Sequence, residues 1–230
     1  MMLSKADIIE KITEALKNPA TLYESKLVNY QGDIDNDWYT EIIAKELLKE
    51  ENIAILRNIP KITRKANYKI PPQKKLVVSY VAENPRHSKE QLAKKLYGKT
   101  FSGIGEVIDF STPLEDDDSS KVIDMLSYNK SENTAYIIEL RKSASSATLL
   151  KCALRAYTYW KVVATEKMLS DFGLNSSNLR KAALVFKSST AYSDLHDRKC
   201  VAVRGLMSHL GIDLFVLNET GTDVIESYKY

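Results

Sequence analysis

The chain has 230 residues, with 33 Lys or Arg against 30 Asp or Glu and a net charge of +3. Its 44% hydrophobic content can build an ordinary core without disulfide or metal staples, and 27% charged residues with a mean hydropathy of −0.29 fit a soluble protein. The near balance of charge permits a nucleic-acid partner without arguing for one, and no apolar run approaches the ~18 residues of a membrane span.

Residues 4–17 predict a helix, with Ser4 as cap and Ile8, Ile9, Ile12 and Leu16 at helical spacing. This start is amphipathic and carries acids, unlike a secretory signal. Residues 18–35 read as loop. A second helix is expected over 36–50, with Trp38, Ile42, Ile43, Leu47 and Leu48 on one side. "NIAILRNI" (52–59) reads as a short strand. Residues 60–85 are basic and punctuated by proline, with a possible strand at 76–81. Within them "KITRKANYKIPPQKK" (61–75) suits either a nucleic-acid groove or a solvated loop.

Ser88 and Gln91 form a capping box for a helix through Tyr97. Gly98, Gly103 and Gly105 then mark turns, and "EDDDSS" (115–120) reads as an acidic loop. "KVIDMLSY" (121–128) and "TAYIIELR" (134–141) are expected as strands joined by the polar turn "NKSEN". A long, largely apolar helix is predicted over 145–168, capped by Ser143, Ser145 or Ser146. A strand at 181–188, a helix at 192–210 and a last strand at 212–218 complete the order. That succession is an α/β arrangement around a mixed sheet. Cys152 and Cys200 lie in apolar helical patterns and read as reduced, buried thiols of a cytoplasmic protein. No Cys or His spacing suggests zinc.

On a strand, alternate side chains share a face. Glu139 and Arg141 therefore point the same way, and pairing through the hairpin brings Asp124 to the level of Glu139 or its neighbours. Two carboxylates in apolar strands need neutralising. A divalent cation does that, and oxygen ligands favour Mg²⁺ or Mn²⁺. Arg141 is then placed to hold a phosphate oxygen. The same residues also suit a plainer arrangement, an exposed Glu139–Arg141 ion pair with Asp124 capping a turn.

"KVIDMLSYNKSENTAYIIELRK", followed by an apolar helix containing "RAYTYW", resembles the core of the PD-(D/E)XK nuclease superfamily. The resemblance covers residues 36–218 in element order and 121–160 in motif detail. It implies one restriction-endonuclease-like α/β domain over 1–230, with residues 1–35 as a helical extension. It also implies Mg²⁺- or Mn²⁺-dependent hydrolysis of DNA, with RNA as an alternative substrate, no membrane partner, and a homodimer as one assembly. Asp124 matches the family's first acid and Glu139 its second, both as metal ligands. Many members carry a further glutamate on an early helix, matched by Glu41, with Glu46 as alternative; either also suits an exposed helical position.

Arg141 stands where the family has lysine. Arginine stays charged and cannot act as a base. Lys142 is adjacent, on the opposite face unless a bulge turns it inward. Lys151 and Arg155, four apart on the crossing helix, offer a basic face for phosphate or a solvated edge. A catalytically degenerate nucleic-acid-binding or protein-interaction module of the same fold is the alternative function.

Overall fold

A computed structural model describes residues 3–72, 85–116 and 121–230, with the backbone alone at 85–88. The chain opens with helix α1 (Lys5–Ala15), in which Ser4 and Asp7 bond reciprocally as a capping box. Two short 3-10 turns follow (Pro19–Glu24 and Leu27–Asn29), then a ribbon of β1 (Asp33–Ile34) and β2 (Asp37–Trp38). Helices α2 (Tyr39–Leu47) and α3 (Glu50–Arg57) complete the N-terminal part, and α4 (Pro85–Leu96) leads into the main sheet.

The sheet is mixed and has seven strands in chain order. They are β3 (Thr100–Phe101), β4 (Gly105–Pro113), β5 (Val122–Asn129), β6 (Thr134–Arg141), β7 (Asn178–Phe186), β8 (Asp213–Leu217) and β9 (Val224–Tyr228). Strands β3 to β6 form an antiparallel meander. Helix α5 (Leu149–Val162) then crosses over so that β7 runs parallel to β6, as the parallel geometry requires. Helices α6 (Thr165–Asp171), α7 (Thr190–His196) and α8 (Val201–Leu210) lie in the later connections. β8 is parallel to β7, and β9 antiparallel to β8.

Both faces of the sheet are covered. Ile137, Leu126, Ala183 and Val185 join a core with α1, α2, α5 and α8, while Met125, Tyr136 and Ile138 pack with Ala93 and Leu96 of α4. This explains why "AYII" (135–138) reads as a continuous apolar run: each side of β6 meets a helical layer. The close approach of β4 to β5 depends on Gly105. Its φ is +76°, and an added Cβ would fall 2.1 Å from the Tyr128 carbonyl oxygen.

The α/β class and the mixed sheet agree with the sequence reading, but several elements differ. "NIAILRNI" belongs to helix α3, not a strand. Ile53 and Leu56 share its buried face, and Glu50, Glu51 and Arg57 complement its dipole. The helix expected over 145–168 is capped by Thr148, whose hydroxyl accepts from the Lys151 N–H, and it stops at Val162. There the Val162 carbonyl accepts from the Ile62 N–H, the Ala164 N–H donates to the Tyr68 hydroxyl, and Val163 is extended.

The helix over 192–210 is broken at Asp197, whose side chain accepts from the Lys199 N–H at 2.7 Å. α4 begins before Ser88, which is therefore inside the helix. Strands β1 to β4 and β9 were not foreseen. The possible strand at 76–81 and residues 117–120 of the acidic loop lie outside the described residues.

Candidate functional site

The β5–β6 ladder runs from Asn129↔Thr134 to Met125↔Ile138. One further step sets Asp124 opposite Glu139. There the Leu140 N–H donates to Asp124 Oδ2 at 2.8 Å, so the carboxylate takes up a backbone donor where the strands part. The two acids are deeply placed, with side chains 5% and 1% exposed.

Three cations meet them. Lys89 of α4 lies between the two, its Nζ 2.5 Å from Asp124 Oδ2 and 3.0 Å from Glu139 Oε1. Arg141 Nη2 is 2.6 Å from Glu139 Oε1, and its Nε donates to Cys152 Sγ at 3.1 Å. Arg155 Nη1 donates to the same Glu139 oxygen at 3.0 Å, while Nη2 is 3.7 Å from Asp124 Oδ1. Its guanidinium lies over the Tyr159 ring. Without such partners the burial of two acids would carry a large desolvation cost.

The electrostatics follow from this packing. Burial pushes Glu139 upward, but Arg141, Arg155 and Lys89 outweigh it and hold the carboxyl well below the usual range. Asp124 is raised, by burial first and by neighbouring Glu139 second. Burial lowers Lys89 against the pull of both acids. Lys151 is lowered by burial and then by Arg141 and Arg155.

Above the acids lies a cleft of about 520 Å³. It is lined by Tyr23 and Glu24 of the first 3-10 turn, Lys89 and Glu90 of α4, and Lys121, Asp124, Arg141, Lys151, Arg155 and Tyr159. The sequence reading thus placed Asp124, Glu139, Arg141, Lys151 and Arg155 together, and the structure brings all five to one place. The Glu139–Arg141 pair is buried, not the exposed ion pair of the plainer arrangement.

Glu41 does not join them. Its carboxylate accepts from the N–H groups of Ala202 (2.8 and 2.9 Å) and Val203 (3.3 Å), which cap the start of α8. The expectation of a third metal-binding acid at Glu41 is therefore corrected: its oxygens serve a helix terminus. Glu46 pairs with Lys49 and Asn52.

Lys142 follows the end of β6, and the β6–β7 register continues without a shift through Arg141↔Val185, so no bulge turns it inward. It does not line the cleft. In the basic stretch, Arg64 is buried against the Glu115 and Asn67 carbonyls and Asp116, a structural use of its charge.

Lys89 was missed. It sits 35 residues before Asp124, on a helix whose sequence pattern speaks only for its own capping and apolar face. No local signal links it to the acids.

The donor set suits a cation. Lys89's ammonium occupies the position between the two carboxylates. Among the described residues no group of three or more His, Cys, Asp or Glu side chains converges. Two carboxylates nevertheless match Mg²⁺, which is commonly held by one or two and keeps several waters. Comparison with protein-family models, with curated proteins and with solved structures finds no match.

Proposed function

We propose that this chain hydrolyses phosphodiester bonds of nucleic acid, DNA in the first instance, on a restriction-endonuclease-like core. Asp124 and Glu139 hold one Mg²⁺ or Mn²⁺. The observation that carries this reading is the close pairing of Asp124 Oδ2 and Glu139 Oε1 around one ammonium, Lys89 Nζ, beneath a cleft. The antiparallel β5–β6 hairpin, the crossing helix α5 and parallel β7 supply the matching element order.

Asp124 and Glu139 would hold the divalent ion, which would supply polarisation of a phosphate and a lowered pKa for a bound water. The chain's own groups do the rest. Lys89, which contacts both oxygens, would have to give way for an ion to be held there. Arg141 and Arg155, fixed on Glu139, offset negative charge that develops on the phosphate. Arg141 remains charged throughout, so it orients and stabilises but takes no proton.

The test is incubation of labelled single-stranded and duplex DNA with Mn²⁺ or Mg²⁺, read on a denaturing gel. Cleavage is expected in the wild type, reversibly lost on chelation, and absent in Glu139→Gln and Asp124→Asn. No cleavage of either form with either ion, or undiminished cleavage by Glu139→Gln, overturns the proposal.

One observation favours a second reading, a module that binds without cleaving. Lys89, Arg141 and Arg155 already neutralise the two acids. Binding that persists in Glu139→Gln with no turnover in the wild type would select it.

A further inference from the structure

The cleft is small and its charges are layered. Its volume of about 520 Å³ lies within the ~300–1,000 Å³ typical of sites for compact ligands. Asp124 and Glu139 are nearly closed off at its base, together with Lys89, Arg141 and Arg155. Glu24, exposed on the 3-10 turn, and Glu90 of α4 contribute carboxylates to the walls, beside Lys121, whose ammonium is paired with Glu115 at 2.9 Å.

Such a layering bears on which nucleic acid can enter. Duplex DNA carries one negative charge per ~1.7 Å of its axis. To bring one duplex phosphate to the base, its neighbours on a stiff, paired backbone must pass the wall carboxylates. An unpaired strand can lower one phosphate on a flexible backbone and leave its neighbours outside. Lys151 is the cation suited to receive it. Lys89, Arg141 and Arg155 each contact Glu139 and Lys121 contacts Glu115, whereas among the described residues no ion pair joins a carboxylate to Lys151 Nζ. Its half-buried position on the first turn of α5 places it in the cleft wall.

We infer that the site accepts a single strand of nucleic acid, one nucleotide unit at a time, with Lys151 holding the entering phosphate and Glu24 discriminating against the duplex. This inference rests on the phosphodiesterase reading. It adds the form of the substrate and the residues that select it.

The experiment is fluorescence anisotropy of the wild-type chain in chelator, with a short single-stranded oligodeoxynucleotide and its blunt duplex. The single strand is expected to bind about tenfold tighter or more. Lys151→Met weakens that binding about tenfold, the scale of one lost charge-assisted contact. Glu24→Gln, at an exposed position, narrows the preference by strengthening duplex binding. Equal or tighter duplex binding overturns the inference, as does unchanged single-strand affinity in Lys151→Met.

The cleavage assay separates the two claims. Duplex preference with Glu139-dependent cleavage removes the strand inference and leaves the hydrolase. Single-strand preference with no cleavage supports strand selection and removes the hydrolase. Absence of binding to both forms overturns the inference outright.

Discussion

Asp194 shows how one half-buried side chain ties elements together at an electrostatic cost. Its Oδ2 accepts from the Leu149 N–H at 2.8 Å, linking α7 to the start of α5. Burial, with a smaller contribution from Asp197, pushes its carboxyl up to about 6. The unfolded value is about 3.9. Between these values the native state binds more protons, so stability falls as pH rises through about 4 to 6 and the contribution is lost above that window. Asp194→Asn keeps an acceptor and cannot ionise. It is expected to be more stable than the wild type at pH 7 by about 1–2 kcal/mol, with the gain vanishing near pH 4. Urea unfolding at the two pH values checks this, and a variant less stable at pH 7 would contradict it.

Asp124, Glu139 and Arg141 were legible at this scale because strand alternation is local. Lys151 and Arg155 were legible because helical neighbours lie four apart. Lys89 was not legible, because its contact with Glu139 spans 50 residues and two packed layers.

Among the elements, Glu41 and α8 make the clearest case. A glutamate bordering the buried stripe of a helix looks the same in sequence whether it ligates a metal or caps another helix. Here the partner lies 161 residues away. Glu41 is 4% exposed, and its removal leaves N–H groups at the start of α8 unpaired. Glu41→Ala is expected to lose about 1–3 kcal/mol of stability in chemical denaturation, while metal affinity is unchanged. A large loss of metal affinity at unchanged stability would return Glu41 to the site.

Other element-level differences have the same origin. Ile53 and Leu56 of α3 suit a strand by composition and a helix by packing. The ends of α5 and α7 are set by the Tyr68 hydroxyl and the Asp197 side chain, not by Gly or Pro in the helical pattern. β9 was missed because Val224, Glu226 and Tyr228 alternate with exposed neighbours at the sheet edge, a weak apolar signal.

The whole molecule is organised so that the β5–β6 ladder parts where both helical layers reach it. α4 brings Lys89 from one layer and α5 brings Arg155 and Lys151 from the other, around two acids that the sheet itself aligns. The chain's net charge of +3 hides this local concentration of cations. Hence composition alone carried little, while the strand and helix patterns carried the α/β class and most of the acid–base cluster.

On the proposed reading, Asp124 and Glu139 would form one cation-holding centre, for which Lys89 and a metal would compete. The direct measurement is Mn²⁺ titration followed by electron paramagnetic resonance on the wild type, Lys89→Met and Glu139→Gln. One bound ion is expected in the wild type, with about tenfold tighter binding in Lys89→Met, where the competing ammonium is gone, and none in Glu139→Gln. No Mn²⁺ bound to either the wild type or Lys89→Met, or binding indifferent to Glu139→Gln, would contradict it.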